Sequence, residues 1–187
     1  MRDGPLERAR ANIRAYGLSD RIQTCLADGL CGIESYAPDD IFICGMGGEL
    51  IVKIIDAAPF LRSKKIRLIL QPMTHAEILR RYLADVGFDI VDEEIAVEKN
   101  GKVYQIIVAE YSGIAYRLSE VECLLGRVNI KKGGSKLQAL AAGILRAIDT
   151  KIKGLRAAGI PDGEICLLRS EIMKTLKGEN GRNDENT

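Results

Sequence analysis

The sequence has a single histidine, His75, and its five cysteines (Cys25, Cys31, Cys44, Cys123 and Cys166) form no CxxC pair. A zinc site needs several such ligands at close spacing, so no metal is expected. An odd count of cysteines on predicted strands and helices fits free thiols in a reducing cytosol rather than a disulfide framework. Long apolar runs are also missing, and none approaches the roughly 20 residues that span a bilayer. Met1 leads at once into charged, helix-forming sequence, so no signal peptide is expected and the reading is cytoplasmic. Net charge is nearly absent: 27 basic against 26 acidic residues leave +1, which gives composition alone no argument for a nucleic-acid partner. What is left, at 187 residues and 47% apolar content, is a chain able to bury one α/β core with a small appendage.

Periodicity supplies the order of elements. Leu6, Ala9, Ile13 and Tyr16 recur at helical spacing between Pro5, suited to a first helical position, and Gly17, suited to a stop. Ile22, Thr24 and Leu26 alternate as in a short strand ending at Asp28-Gly29. Ile41-Phe42-Ile43-Cys44 is continuously apolar, which predicts a strand buried on both faces. It enters Gly45-Met46-Gly47-Gly48, with a helix following over about 49–57. A third buried strand over 66–70 ends at Gln71-Pro72, and Thr74 is placed to cap a helix that Gly87 closes. Two β-rich stretches, 89–97 and 103–110, flank Lys99-Asn100-Gly101-Lys102, a strong hairpin signal. Beyond about Tyr116, strands cease. Leu137 to Leu155 mark one long amphipathic helix, and Ile165, Leu168, Ile172 and Leu176 a returning one, an antiparallel pair. Residues 178–187 hold no apolar side chain and are expected to be disordered.

Alternating β-α units followed by an antiparallel hairpin predict an α/β, Rossmann-like sheet over 1–115, with a helical domain over 116–177. In such sheets ligands sit beyond the strand C-termini. The loops there are Asp28-Gly29-Leu30, Gly45-Met46-Gly47-Gly48 and Gln71-Pro72-Met73. By itself this supports only a Rossmann-like fold. The segments Leu26-Ala27-Asp28-Gly29-Leu30, Ile43-Cys44-Gly45-Met46-Gly47-Gly48 and Leu68-Ile69-Leu70-Gln71-Pro72 occur in that order. Gly87-Phe88, Tyr104-Gln105-Ile106-Ile107-Val108 and Leu118-Ser119-Glu120 follow them. Together they resemble the bacterial tRNA (adenine(22)-N1)-methyltransferase family, class I enzymes with a C-terminal helical extension. The resemblance spans roughly residues 4–126 and more loosely the helical pair. Against the family pattern, the sequence starts where the second strand would end. The cofactor loop that wraps the methionine moiety, and two central strands, are expected to be missing, leaving unpaired sheet edges.

The resemblance implies S-adenosyl-L-methionine as cofactor and tRNA as partner. It places Asp28 and Gly29 beside the cofactor adenine, with Gly45 and Met46 also facing the cofactor. Residues Gly45, Met46, Gly47 and Gly48 would form the target-base pocket, with Gln71 and Pro72 on its opposite wall. Asp-Gly can also be a plain turn, and a proline that ends a strand accounts equally for Gln71-Pro72. The glycine run can also be a tight strand-to-helix turn or an anion site. His75 is read as solvated. Residues 126–156 carry eight basic side chains against Asp149 alone. Such a concentration is the footprint of a phosphate-binding surface, and Arg127, Lys131, Lys132, Lys136, Arg146, Lys151 and Lys153 are the candidate RNA contacts. Two other readings stand beside this one: a non-catalytic RNA-binding remnant, and a methyltransferase of the same fold with another substrate.

Overall fold

The computed structural model describes residues 4–62 and 66–183, with side chains up to residue 178. They fall into two compact units, Met1–Pro38 and Asp39–Thr187.

The first unit holds helix α1, Gly4–Ala15, and a 3-10 turn, Ile33–Tyr36. Gly17, in the left-handed region at φ 64°, ends the helix as its position in the sequence suggests. Leu6, Ala9 and Ile13 are half-buried, and Arg10 Nε donates to Thr24 Oγ1 at 3.1 Å, tying the helix to the segment that follows. The strand expected over 22–26 does not form: among the described residues that segment is irregular and pairs with no other strand. Alternation alone cannot make a strand when no edge takes up its backbone hydrogen bonds.

The second unit is built on a four-stranded sheet in the order β1-β2-β4-β3. β1 (Asp40–Gly47) and β2 (Arg67–Thr74) run parallel, joined through helix α2 (Gly48–Asp56). Helix α3 (Ala76–Asp85) leads to β3 (Phe88–Val97), which turns at Asn100-Gly101 into β4 (Val103–Tyr111), antiparallel to both neighbours. Ile41 and Ile43, level with Leu68 and Leu70, share one face with Ile107 and Ala109, and all are buried. Ile51 and Ile55 of α2 and Leu79 and Leu83 of α3 are buried against this layer. Each fully buried aliphatic side chain contributes about 1.5–3 kcal/mol.

The opposite face of β1 corrects the sequence reading. Its burial alternates: Phe42 is 69% exposed and Cys44 is exposed as well. The apolar run therefore marks a strand buried on one face, because the helices packed on β1 and β2 cover only the side of Ile41 and Ile43. The edge is open too. Asp39 O accepts from Arg67 N at 2.9 Å, so residues 39, 41 and 43 turn their main-chain groups to β2. Those of Asp40, Phe42 and Cys44 point the other way, where no described strand pairs with them.

After β4 come two short helices, α4 (Glu120–Leu125) and α5 (Arg127–Lys132). Ser119 opens α4 with a full capping box to Glu122. The long pair follows, α6 (Gly134–Ala157) and α7 (Gly163–Asn183). A second core joins these helices through Val121, Leu125, Leu137, Leu140, Ile148, Ile172 and Leu176, and Ile95 of β3 belongs to it. α5 and α6 pack directly on β3, within the second compact unit. α7 continues to Asn183, further than an end at 177; residues 184–187 of the expected tail lie outside the described residues.

One buried polar cluster fastens these helices to the sheet. Arg80 and Glu93, both fully buried, meet at 2.7 Å. Arg80 also donates to Cys123 O (2.8 Å) and Gln105 Oε1 (2.8 Å), while Glu93 Oε2 accepts from Val128 N at 2.9 Å. Gly126 lies against that carboxylate: a Cβ there would sit 2.4 Å from Glu93 Oε1.

Candidate functional site

At the C-terminal end of β1, Gly45 adopts φ 78°, a left-handed conformation that glycine takes without steric cost. Its N–H donates to Gln71 Oε1 at 2.9 Å, and Gln71 Nε2 donates in turn to Pro72 O at 3.2 Å. The Gln71 amide therefore bridges the two loops. Gly48 is required by proximity: a Cβ would come 2.2 Å from His75 O. At Gly47 the nearest neighbour would be Thr74 Oγ1, 3.1 Å away. The structure thus brings Gly45, Met46, Gly47, Gly48, Gln71 and Pro72 together, as two interlocked segments at one end of the sheet.

Two local details differ from expectation. β2 continues through Pro72 to Thr74 instead of ending at Gln71. Proline is tolerated there because β4 pairs with β2 only as far as Leu70, so no ladder needs its missing N–H. His75, not Thr74, is the N-cap of α3, at φ 55° and without a side-chain cap. Its imidazole is exposed, with Nδ1 3.1 Å from Glu77 Oε1.

Chemically the ledge is a set of glycine backbones with Met46 and Met73 partly exposed beside them. Polarisable thioethers and accessible backbone suit a flat heteroaromatic ring. No cysteine or serine paired with a base lies on these two segments.

Asp28 and Gly29 belong to the first unit. Gly29 has φ 56° and Cys31 N donates to Asp28 O at 3.1 Å, so Asp28-Gly29 does form a turn. The Asp28 carboxylate is exposed and makes no hydrogen bond to any described residue. In the same unit a hollow of about 270 Å³ is lined by Gln23, Thr24, Cys25, Ile33 and Tyr36.

The basic stretch divides in the structure. Lys132 pairs with Asp92 (2.7 Å) and Lys136 with Glu94 (2.6 Å), while Arg127 pairs with Glu122 (2.8 Å) and Arg156 with Asp162. The Lys132 ammonium holds the Asp92 carboxyl below the usual carboxylate range, helped by the Glu93 N–H, and Lys136 does the same for Glu94. Lys131, Arg146, Lys151 and Lys153 make no ion pair with any described residue. Counting charge along residues 126–156 missed acids on β3 that lie far away in sequence. The signal was there in Asp92-Glu93-Glu94, which alternate out, in and out on the strand. Gln71 as the bridge between loops, and the Arg80–Glu93 fastening, carried no local sequence signal. Among the described residues no group of three or more His, Cys, Asp or Glu side chains is placed to hold a metal ion, and no helix is long and apolar enough to cross a membrane.

Comparison with known proteins bears directly on this geometry. Streptococcus pneumoniae Sp1610, known from two crystal structures, one of them in complex with S-adenosyl-L-methionine, is 30% identical with a TM-score of 0.79 in both. The match to the first of these covers 92% of this chain and 78% of that one. The B. subtilis m1A22 tRNA methyltransferase TrmK superposes with a TM-score of 0.77 at 28% identity, over 95% of this chain and 78% of that one. In sequence, the tRNA (adenine(22)-N(1))-methyltransferase of Bacillus subtilis (strain 168) is 40% identical over 108 residues, 58% of this chain. The matched stretch spans 45% of the length of that curated relative. The family model TrmK: tRNA (adenine(22)-N(1))-methyltransferase matches residues 1–157, so the chain belongs to the TrmK family.

Proposed function

We propose that this chain is an S-adenosylmethionine-dependent methyltransferase that acts on N1 of an adenine in tRNA, adenine 22 by its family. The observation that carries the reading is the family match over residues 1–157, which includes both interlocked loop segments. When bound, S-adenosylmethionine supplies a methyl group already activated on a sulfonium. Within the first unit, the exposed Asp28 carboxylate beside the turn at Gly29 has the chemistry to accept from an exocyclic amino group such as that of the cofactor adenine. Gly45 offers backbone with open space around its Cα, and Met46 a soft apolar contact. The neutral ring carries a lone pair on N1, so attack needs no base, and positioning by residues 45–48 and Gln71 is the main demand. Since N1 is engaged in duplex pairing, the adenine must be unpaired or flipped to reach the ledge. Of the basic candidates, Lys131, Arg146, Lys151 and Lys153 keep their charge free for phosphate. A cytoplasmic location follows from acting on tRNA.

The test is incubation of the chain with S-adenosylmethionine carrying a labelled methyl group and unmodified tRNA, with 1-methyladenosine read by mass spectrometry. Product at one adenine supports the reading, and a folded chain that gives none overturns it. The open edge of β1, with Phe42 exposed, favours a second reading, a non-catalytic RNA-binding protein of the same family. tRNA binding without methyl transfer would select it.

A further inference from the structure

A cleft of about 350 Å³ lies between the start of β3, the segment 112–118 and helix α5. Its floor is Ile90, Leu118 and Val128, all half-buried, and Ile114 stands at its mouth 72% exposed. This exposure does not come from a loose loop. Ser112 N and Gly113 N both donate to Gly87 O at 3.0 Å, and Tyr116 N donates to Ala84 O at 3.1 Å. β3 is an edge strand, and the Ile90 N–H on its outer side donates to Tyr116 Oη at 3.2 Å. The segment is therefore tied down by its main chain, and Ile114 with Ile90, Leu118 and Val128 forms one apolar shelf along the cleft.

Cations form the other wall. The Arg127 guanidinium stacks over the Tyr116 ring at 5.0 Å, and donates to Glu122 Oε1 (2.8 Å) and Arg117 O (3.2 Å). That leaves three of its five N–H groups for another partner. Lys131 is one helical turn further along α5, on the same side, exposed and without an ion pair among the described residues. Its neighbour Lys132 turns instead to Asp92. Asp89, on the sheet-side rim, keeps an anion on the α5 side.

Register places this cleft far from the glycine ledge. Asp89 is level with Glu110, and Glu110 with Arg67, the first residue of β2, whereas Gly47 is level with Thr74, its last. Seven residues of strand separate the two levels, roughly 20 Å. We infer that the cleft is a second RNA site, in which Lys131 and Arg127 hold a backbone phosphate and Ile114 packs against an unstacked base. Charge and shape favour RNA: two convergent cations beside an apolar shelf suit a phosphate with a base attached. A partner engaging both places must span roughly 20 Å, further than about three nucleotides of single strand reach, so the cleft adds contacts for tRNA that so short a strand bound at the ledge cannot make. This inference rests on the proposed action on tRNA.

The experiment uses the full chain, unmodified tRNA transcript and a three-nucleotide single strand containing adenine, with Kd read by fluorescence anisotropy across a salt series. Lys131→Ala is expected to weaken tRNA binding about five- to tenfold and to lower the salt slope by about 1, with Lys131→Arg restoring both. Ile114→Ser is expected to weaken tRNA binding several-fold at an unchanged salt slope, leaving the short strand and the unfolding midpoint unaffected. Unchanged tRNA affinity in both alanine and serine variants would overturn the inference and leave the proposed function standing, pointing to a non-RNA occupant. Equal weakening of the short strand by Ile114→Ser would also overturn it. If the unaltered chain binds no tRNA, both the inference and the proposed function fall.

Discussion

The two edges of the sheet are finished in opposite ways. At the β3 edge, α5 and α6 lie against the strand, Lys132 donates to the Glu93 carbonyl, and the Glu93 side chain turns inward to Arg80. At the β1 edge no described strand pairs with the outward main-chain groups of Asp40, Phe42 or Cys44, and among the described residues Asp40–Arg67 is the only ion pair on the strand. An edge can be closed by helices and a lysine, or left able to pair. The closed edge is where this chain concentrates its buried polar chemistry, and the open edge is where its most exposed large apolar strand residue lies. The contrast assigns rigidity to the side bearing the helical pair and adhesiveness to the side bearing the glycine ledge.

Breaking the closed edge should have the largest effect. Glu93→Ala leaves the buried Arg80 guanidinium without its counter-charge and removes the acceptor for Val128 N. Such a loss is worth about 3–5 kcal/mol, a large part of the 5–15 kcal/mol typical of a whole domain. Urea unfolding should show a much lower midpoint. The pair Arg80→Met with Glu93→Leu should recover most of it, because neither buried charge then remains. Full stability in Glu93→Ala alone would mean the cluster is not holding the helices.

Gly126→Ala comes next. The added methyl would meet the Glu93 carboxylate at 2.4 Å, and φ 87° is strained for any residue with a Cβ. We expect a loss of about 2–4 kcal/mol, whereas Gly101→Ala, at φ 82° but with open space around it, should lose only the strain. Equal effects in the two variants would show that conformation, and not the contact with Glu93, sets the cost.

These contrasts also explain what could be read from sequence. Strong local periodicity placed β1, α2, the Asn100-Gly101 hairpin and the α6–α7 pair close to where they are. The Gly45 and Gln71 segments were legible as candidates because strand ends and the family resemblance both point to them. The failures share one cause, dependence on distant neighbours. Whether Ile41-Phe42-Ile43-Cys44 is buried on one face or two depends on what covers the sheet, and whether 22–26 pairs depends on an available edge. The basic stretch appeared unopposed only because Asp92 and Glu94 lie on β3. One local signal went unread: Ser119 and Glu122, three apart, announce α4.

On the open edge, Phe42→Thr should change stability by less than about 0.5 kcal/mol, since most of the ring is already in water. Its effect should appear in association instead. Light scattering of concentrated protein is expected to fall, because the variant removes the apolar side chain flanking unpaired main-chain groups. Unchanged scattering with a clear loss of stability would mean that Phe42 is buried in solution and the edge is covered.

The smallest effect should come from pH acting on the outward-facing acids of the closed edge. Asp92 and Glu94 are held below the usual carboxylate range, chiefly by hydrogen bonds from Lys132 and Lys136. A carboxyl whose value is lower in the folded than in the unfolded chain stabilises the fold above its unfolded value, and that contribution is lost as pH falls through the folded one. Both side chains are about half exposed, so each pair is worth only a few tenths of a kcal/mol. The unfolding midpoint of the unaltered chain should therefore decline below about pH 4 more steeply than that of Lys132→Met with Lys136→Met. The gap between the two proteins should narrow as salt rises, because these pairs are screened. Glu93 is shielded from that screening by burial, so a gap that persisted at high salt would show that removing the two lysines had disturbed the Arg80 cluster beneath them.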